Sequence, residues 1–239
     1  MPLVLVGSLG TTAAMWQPQI DGLPEWLRPI PIDLRGHGTQ PAPKGPYTIE
    51  GLAGDVLADL DRLGLGRVSF CGLSLGGIVG MWLAANAQER IERLVLICTS
   101  AHLPPASVWH KRAALVRAAG SPEVLADAVV EAWFTRAWAE ANPDLVADHR
   151  AMVARTPAEG YAGCCEAIAG ADLRADLARI EAPTLVITGA RDTAAPPEHQ
   201  RGIAEGVAAA RLEVVDAAHL ASVERAQEVN DLIVAHLAR

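Results

Sequence analysis

Several features that mark particular classes of protein are absent from this sequence. Its 239 residues include only four cysteines, and none of them has the CxxC spacing of a zinc site. No apolar run reaches the roughly 18 residues that a membrane-spanning helix needs. No basic segment precedes the apolar N-terminus, as a signal peptide would require. We therefore expect no metal site, no membrane contact and a cytoplasmic protein with reduced, mostly buried thiols, at Cys71, Cys98, Cys164 and Cys165.

Positive charge is also scarce, because 20 basic residues stand against 28 acidic ones and the net charge is −8. This balance argues against a nucleic-acid-binding surface. Hydrophobic residues make up 51% of the chain, which is too apolar for a disordered protein. No internal repeat, low-complexity tract or interdomain linker is visible. The length fits one α/β domain, or one such domain with an insertion.

Short apolar runs alternate with longer segments of helical periodicity, which predicts a parallel sheet with crossover helices. The predicted strands are Leu3–Val6, Pro29–Ile32, Val68–Cys71, Leu94–Cys98, Thr184–Thr188 and Leu212–Val215. The predicted helices are Ile49–Leu63, Ser74–Asn86, Glu198–Gly206 and Ser222–Leu237. The alternation stops near Ala101 and resumes near Ala182, and the stretch between holds three of the six tryptophans. We predict a core of residues 1–101 and 182–239 and a helical cap of residues 102–181.

One strand carries two prolines, in the run Arg28-Pro29-Ile30-Pro31-Ile32. Prolines two residues apart remove N–H donors on the same side of a strand, so that side cannot pair with a full partner. Prolines are tolerated at sheet edges. We therefore expect this to be an edge strand, a sheet order of 2-1-3-4-5-6, and no N-terminal hairpin beyond it.

A G-x-S-x-G motif occupies Gly72 to Gly76, with Ser74 at its centre. An apolar strand precedes the motif and a helix rich in Ala, Val and Leu follows it, which is the context that a serine nucleophile requires. The motif could instead be an ordinary glycine-rich turn or a phosphate-binding loop. It has no lysine, and no G-x-G-x-x-G with an acidic residue downstream is present. We therefore predict that Ser74 is a nucleophile.

A nucleophilic serine needs a base and an acid that orients the base, and here the chain order should be Ser, then Asp or Glu, then His. His219 is the one histidine that follows a predicted strand and precedes the C-terminal helix, so we predict that it is the base. His236 lies within that helix and is expected on the surface. Asp192 follows the strand Thr184–Thr188 and is the predicted acid. Asp216 is its rival, but it lies only three residues from the base.

Two backbone N–H groups should bind the oxyanion. One belongs to Leu75, the residue after the nucleophile. The other should come from the loop after the first strand, where Leu9 is favoured and Ser8 is the alternative. The polar turn from Asp33 to Gly38 is interpreted as structural, because its His37 precedes Ser74 and so stands in the wrong order for the base.

Taken together, these residues resemble the α/β-hydrolase family and, within it, the 3-oxoadipate enol-lactonases of the β-ketoadipate pathway. The resemblance covers nearly the whole chain. Its more specific parts are Gly7-Ser8-Leu9-Gly10-Thr11-Thr12 and Gly160-Tyr161-Ala162-Gly163-Cys164-Cys165. It implies an α/β-hydrolase fold with a mostly parallel sheet of about six strands and a helical cap. It also implies that Ser74, Asp192 and His219 are the triad.

By this resemblance the substrate is an enol-lactone that bears a carboxylate, the reaction is ring opening through an acyl-enzyme, and no cofactor is needed. A carboxylate in a partly dry pocket needs a charged partner. We predict Arg136 for this role and Trp138 as a wall of the pocket, because Arg136 sits between Trp133-Phe134 and Trp138. The protein could instead be a general esterase, a C–C hydrolase with the same triad, or a non-catalytic ligand receptor of the same fold. The oligomeric state is not predicted.

Overall fold

Six parallel strands form the central sheet of the computed structural model, which describes residues 1–238. They are β1 (Pro2–Val6), β2 (Arg28–Ile32), β3 (Val68–Leu73), β4 (Ile91–Ile97), β5 (Thr184–Gly189) and β6 (Ala210–Val215). Their order is β2-β1-β3-β4-β5-β6, and every neighbouring pair is parallel. The predicted sheet order and the predicted position of the proline-bearing strand at its edge are confirmed.

The composition of each strand matches its place in the sheet. Every residue of β3 and β5 is buried, as expected for apolar strands in a sheet that is covered on both faces. In β2, at the edge, only Ile32 is buried, and Pro29 and Pro31 lie opposite Leu3 and Leu5 of β1. The carboxyl ends of these parallel strands meet at one edge of the sheet, where ligand sites of open α/β sheets lie.

Eleven helices are found within residues 1–238. They are α1 (Gln17–Gly22), α2 (Ile49–Arg62), α3 (Leu75–Asn86), α4 (Ala106–Ala119), α5 (Glu123–Trp133), α6 (Arg136–Ala141), α7 (Pro143–Arg155), α8 (Ala158–Ala169), α9 (Pro197–Gly206), α10 (Ala221–Glu224) and α11 (Ala226–Leu237). Helix α1 packs on α11, and α2 packs on α3. No helix in this part of the chain is long and apolar enough to span a membrane.

The prediction of one continuous C-terminal helix is wrong. The chain breaks at Arg225, whose φ of −125° and ψ of 47° are not helical, so α10 and α11 are separate. The Arg225 Nε donates to the backbone oxygen of Asp216 at 2.9 Å. This bond ties the break to the loop that carries His219, which is a tertiary contact that helical periodicity does not encode.

The expectation that His236 lies on the surface is also wrong. It is 4% exposed, and its Nε2 lies 3.2 Å from the backbone oxygen of Pro183. Burial lowers the pKa of His236 to about 4, so the ring is neutral at neutral pH. All four cysteines are buried and unpaired, as expected.

Helices α4 to α8 all lie between β4 and β5, within the segment predicted as the cap. An antiparallel bridge between His102 and Asp172 joins the start of this segment to the residues after α8. Within it, α4 packs on α8 and α5 packs on α7. The boundaries of the cap at residues 102 and 181 stay a prediction.

Candidate active site

Ser74 lies on a sharp turn between β3 and α3. Its φ of 55° and ψ of −115° are uncommon for a residue other than glycine, and such backbone strain persists only where surrounding contacts hold it. Two bonds do so: the Ser74 N–H donates to the Ile97 oxygen at 3.0 Å, and the Thr99 hydroxyl donates to the Ser74 oxygen at 2.6 Å. Ser74 is partly exposed, so its hydroxyl remains within reach of a small molecule.

Steric crowding explains the two glycines of the motif. A Cβ atom on Gly72 would lie 2.2 Å from the Gly76 oxygen, and a Cβ atom on Gly76 would lie 2.1 Å from the Val6 oxygen. The Gly76 N–H also donates to the Gly7 oxygen at 3.0 Å. The turn that carries Ser74 is therefore pressed directly against the loop after β1.

His219 and Asp192 are joined by a hydrogen bond in the interior. The His219 Nδ1 lies 2.8 Å from Asp192 Oδ2, and both side chains are almost fully buried. The other carboxylate oxygen of Asp192 accepts the N–H groups of Ala194 at 2.8 Å and Ala195 at 3.0 Å. Because an ionised carboxylate accepts only, Nδ1 carries the ring proton, which leaves Nε2 free to accept one.

The rival acid, Asp216, has different partners. It pairs with Arg191 at 2.8 Å and with Arg225 at 3.5 Å, and its side chain is more than half exposed. The structure therefore brings Asp192, and not Asp216, to the imidazole of His219.

Within residues 1–238, three N–H groups without an acceptor lie in the two segments where the sequence predicts the oxyanion hole. In the first turn of α3, Gly76 donates to Gly7, and both Gly77 and Ile78 donate to the Ser74 oxygen. The N–H of Leu75 has no acceptor among residues 1–238, and the same holds for the N–H groups of Ser8 and Leu9. The choice between Leu9 and Ser8 as the second donor thus stays open.

A buried glutamine, for which the sequence predicts no role, links the loop of Asp192 to the turn of Ser74. Gln200 is 0% exposed, and its Nε2 donates to the oxygens of Thr99 at 2.7 Å and Ala195 at 3.0 Å. Thr99 in turn bonds Ser74, and Ala195 bonds Asp192. The only signal in the sequence is that a polar residue shares the buried face of α9 with Ile203.

A second residue without a predicted role, Glu224, connects the predicted cap to the loop of His219. Its carboxylate accepts the N–H of Thr135 at 3.1 Å and the N–H of Ala218 at 3.0 Å, and it also accepts the Thr135 hydroxyl. Glu224 is 6% exposed. Three donors thus satisfy a buried carboxylate that has no cationic partner within the described residues.

Both predicted substrate-binding residues, Arg136 and Trp138, belong to helix α6. The side chain of Arg136 is 92% exposed, and its Nε donates to Glu140 at 2.7 Å. Trp138 is half-buried and stacks on Phe134, with ring centroids 4.6 Å apart and planes inclined by 21°. No hydrogen bond or ion pair joins either residue to Ser74, Asp192 or His219 within residues 1–238.

A large cleft lies between α7 and the segment that follows β1. Its volume of about 760 Å³ is within the range of small-molecule sites. Its lining includes Thr12 and Met15 from the segment after β1, Met152 and Arg155 from α7, and Val223 from α10. Ser74 and His219 are not among its lining residues, so the cleft shares residues with the segment after β1 but does not contain the predicted nucleophile. In the described part of the chain, no three His, Cys, Asp or Glu side chains are grouped as a metal site.

Comparisons with known proteins agree with this architecture. Residues 1–226 match the family model described as the alpha/beta hydrolase fold. The chain is 39% identical over 237 residues to 3-oxoadipate enol-lactonase 2 of Acinetobacter baylyi, covering 99% of this chain and 88% of that protein. The crystal structure of the enol-lactonase from Burkholderia xenovorans LB400 is 44% identical, with a TM-score of 0.97 and coverage of 100% of this chain and 91% of that one.

A more distant structural relative is a thermophilic esterase from Thermogutta terrifontis, determined with malate bound. It is 29% identical with a TM-score of 0.94, and the match covers 100% of this chain and 89% of the esterase. The chain therefore belongs to the α/β-hydrolase family and is a hydrolase similar to 3-oxoadipate enol-lactonases over nearly its whole length.

Proposed function

We propose that this protein is a serine hydrolase that opens a carboxylated enol-lactone, 3-oxoadipate enol-lactone, to 3-oxoadipate through an acyl-enzyme. The observation that carries the proposal is the strained turn at Ser74, since the N–H of the next residue, Leu75, has no acceptor among residues 1–238. The identity of 39% to a protein named 3-oxoadipate enol-lactonase 2 supports the choice of substrate. Unpaired cysteines fit a reducing compartment, and we propose that the protein acts in the cytoplasm.

In the first half of the reaction, the Ser74 hydroxyl attacks the lactone carbonyl while Nε2 of His219 takes its proton. Asp192 holds His219 in the tautomer that leaves Nε2 unprotonated, and it stabilises the imidazolium that forms. The N–H groups of Leu75 and of Leu9 or Ser8 receive the negative charge that develops on the carbonyl oxygen.

Collapse of the tetrahedral intermediate then breaks the bond between the carbonyl carbon and the ring oxygen. The imidazolium of His219 protonates the departing enolate oxygen, and the resulting enol tautomerises to a ketone. This tautomerisation draws the ring opening forward, because the ketone is not the nucleophile that would close the ring again. Water, activated by His219, cleaves the ester to Ser74 and releases the second carboxylate. Apart from this water, the proposed steps use only groups of the chain and the substrate.

A panel of substrates tests the proposal directly. The purified protein is assayed with the carboxylated enol-lactone, a saturated γ-lactone, a neutral enol ester and p-nitrophenyl acetate. We expect the largest kcat/KM for the carboxylated enol-lactone. A preference for the neutral esters would instead support a general esterase, which the similarity to the Thermogutta terrifontis esterase favours as the second candidate.

The same assays distinguish a lactonase from a C–C hydrolase and from a ligand receptor. Turnover of a compound cleaved at a carbon–carbon bond, with little turnover of lactones, would indicate a C–C hydrolase. A protein that binds the lactone but neither turns it over nor reacts with a fluorophosphonate would be a receptor. Labelling of Ser74 by the fluorophosphonate is the expected result.

Arg136 is proposed as the partner of the substrate carboxylate, with Trp138 as an adjacent wall. The present partner of Arg136 is Glu140, but both side chains are mostly exposed. An exposed ion pair contributes only about 0–1 kcal/mol, so it can be exchanged for a substrate at small cost. We expect Arg136→Met to lower kcat/KM for the carboxylated lactone by about 1.5–3 kcal/mol, roughly 10- to 150-fold, and to leave a neutral ester almost unaffected.

The matched comparison is Arg112→Met. Arg112 is a second cap arginine, is half-buried, and places its guanidinium 5.0 Å from the ring centroid of Trp109. If the selective loss follows Arg112 and not Arg136, the carboxylate is bound on the α4 side of the cap and the proposal for Arg136 is wrong. Equal losses on charged and neutral substrates would indicate damage to the cap.

A further inference from the structure

The loop from Gly7 to Thr12 follows β1, carries the candidate oxyanion donors Ser8 and Leu9, and is held by a histidine. The N–H of Gly10 donates to Nε2 of His37 at 2.9 Å. The other ring nitrogen, Nδ1, lies 3.2 Å from the backbone oxygen of Arg35. Because an N–H only donates and a carbonyl oxygen only accepts, these partners require the neutral ring with its proton on Nδ1.

The same turn holds the far end of the loop. Asp33, four residues before His37, accepts the N–H of Ala13 at 2.6 Å through Oδ1. The turn from Asp33 to Gly38, defined here as the polar turn, thus bonds the chain at Gly10 and at Ala13, on either side of Thr11 and Thr12. The other end of the loop is fixed by the bond between Gly76 N–H and the Gly7 oxygen.

Helix α8, in the predicted cap, packs against both the polar turn and the loop after β1. Gly36 of the polar turn lies against Gly160, so closely that a Cβ atom on Gly36 would be 2.3 Å from the Gly160 Cα. Tyr161, the next residue, packs its ring against Gly10, where a Cβ atom would be 3.2 Å from Cε2. The loop therefore has little room to adopt another conformation while the imidazole bond is intact.

The surroundings of His37 keep its ring neutral. It is 2% exposed, and burial lowers its pKa below the ordinary value. Asp33, on its own turn, raises the pKa by a smaller amount. The loop after β1 presents only hydroxyls, at Ser8, Thr11 and Thr12. On the side of helix α8 lies the buried thiol of Cys164. Burial raises the pKa of this thiol, so the thiol is uncharged.

We propose that His37 is a positioning residue of the reaction: its neutral imidazole holds Gly10 so that the adjacent N–H of Leu9 or Ser8 can bind the oxyanion. The inference rests on the proposed acyl transfer at Ser74. Protonated His37 has two donors and no acceptor, so it cannot bond the N–H of Gly10. The second oxyanion donor is thereby coupled to the protonation of a residue outside the triad.

The test compares His37→Leu, which has no acceptor, with His37→Gln, whose amide oxygen can replace Nε2. We expect His37→Leu to lower kcat about 10- to 100-fold, less than the loss of an oxyanion donor itself, with little change in KM. His37→Gln should recover most of this loss. If both variants keep the wild-type kcat, the inference is overturned.

The pH profile separates positioning from a merely structural role. In the wild type His37 must be neutral to bond Gly10, so its protonation should add about one unit to the slope with which log kcat/KM falls as the pH drops. His37→Gln removes this titrating group, so its acid-side slope should be smaller than that of the wild type by about one. Because folding lowers the pKa of His37, the unfolded chain binds the extra proton first, and wild-type stability should fall as the pH drops below about 6.5. Equal slopes would contradict the inference.

Amide hydrogen exchange provides a readout that does not depend on activity. The peptide spanning residues 7–12 should exchange faster in His37→Leu than in the wild type, and His37→Gln should restore protection. His236→Leu is the control, because it removes another buried histidine bonded to a backbone oxygen but lies outside the site. If the wild type hydrolyses nothing, the proposed function fails, and unchanged exchange in His37→Leu would separately overturn the anchoring of Gly10.

Discussion

Replacing Ser74 with alanine is expected to lower kcat at least about a thousandfold, because a nucleophile and its base, the roles proposed for Ser74 and His219, act as one unit. His219→Ala should cause a loss of similar size, since without Nε2 nothing accepts the hydroxyl proton. The double variant should lose little more than either single variant. Hydrolysis of the preferred substrate of the panel, followed under single-turnover conditions, measures all three.

Folding must survive for this result to be interpreted. Ser74 donates no side-chain hydrogen bond within the described residues, so removal of its hydroxyl leaves the turn intact, and melting temperatures should stay close to the wild type. Asp216→Asn is a control in the rival of Asp192. Because Asp216 is exposed and bonded to arginines, this variant should keep near-normal turnover. Near-normal turnover by Ser74→Ala would show that another group is the nucleophile.

The second large effect is expected from Gly76→Ala, which tests the steric origin of the motif. The new methyl group would lie 2.1 Å from the Val6 oxygen, which is rigid backbone in the central sheet. Either α3 or β1 must move, and the bond from Gly76 to Gly7 is lost with it. We expect at least about 3 kcal/mol of destabilisation, a fall in melting temperature of roughly 6–12 °C, and loss of turnover.

Gly54→Ala is the matched control, because Gly54 also lies inside a helix but is exposed and has no atom within 4 Å of its Cβ position. Here alanine should stabilise α2 by about 0.5–1 kcal/mol, since glycine loses more conformational freedom in a helix. Thermal unfolding of both variants measures the contrast. If Gly76→Ala were as stable as the wild type, close backbone approach would not be the reason for the motif.

Much of the fold could be predicted because the apolar patterns are strong. Fully buried strands such as β3 and β5 appear in the sequence as short apolar runs, and the prolines of β2 mark it as the edge. The break at Arg225 could not be predicted in this way. It depends on a bond to Asp216, which belongs to a different element and approaches only in the folded chain.

In the candidate site, too, features set by local sequence could be predicted and features set by tertiary contacts could not. Chain order and position after a strand were enough to select Asp192 over Asp216 for contact with His219, and the structure brings that pair together. The chain order excludes His37 as the base and predicts only a structural turn there, because its bond to Gly10 forms only in the folded chain. Buried polar residues are specified by tertiary partners, so helical or strand periodicity identifies their elements but not their roles.

Glu224 has a consequence for exchanging the cap between related enzymes. Its carboxylate is satisfied jointly by Thr135, in the predicted cap, and by Ala218, next to His219. A transplanted segment without a hydroxyl at position 135 would leave a buried anion short of one donor, at a cost of about 1–3 kcal/mol. The missing hydrogen bond would destabilise the loop that carries His219. A chimera whose foreign cap folds well could therefore still hold the His219 ring in the wrong position. Grafts that keep a serine or threonine at position 135 should be the ones that retain turnover.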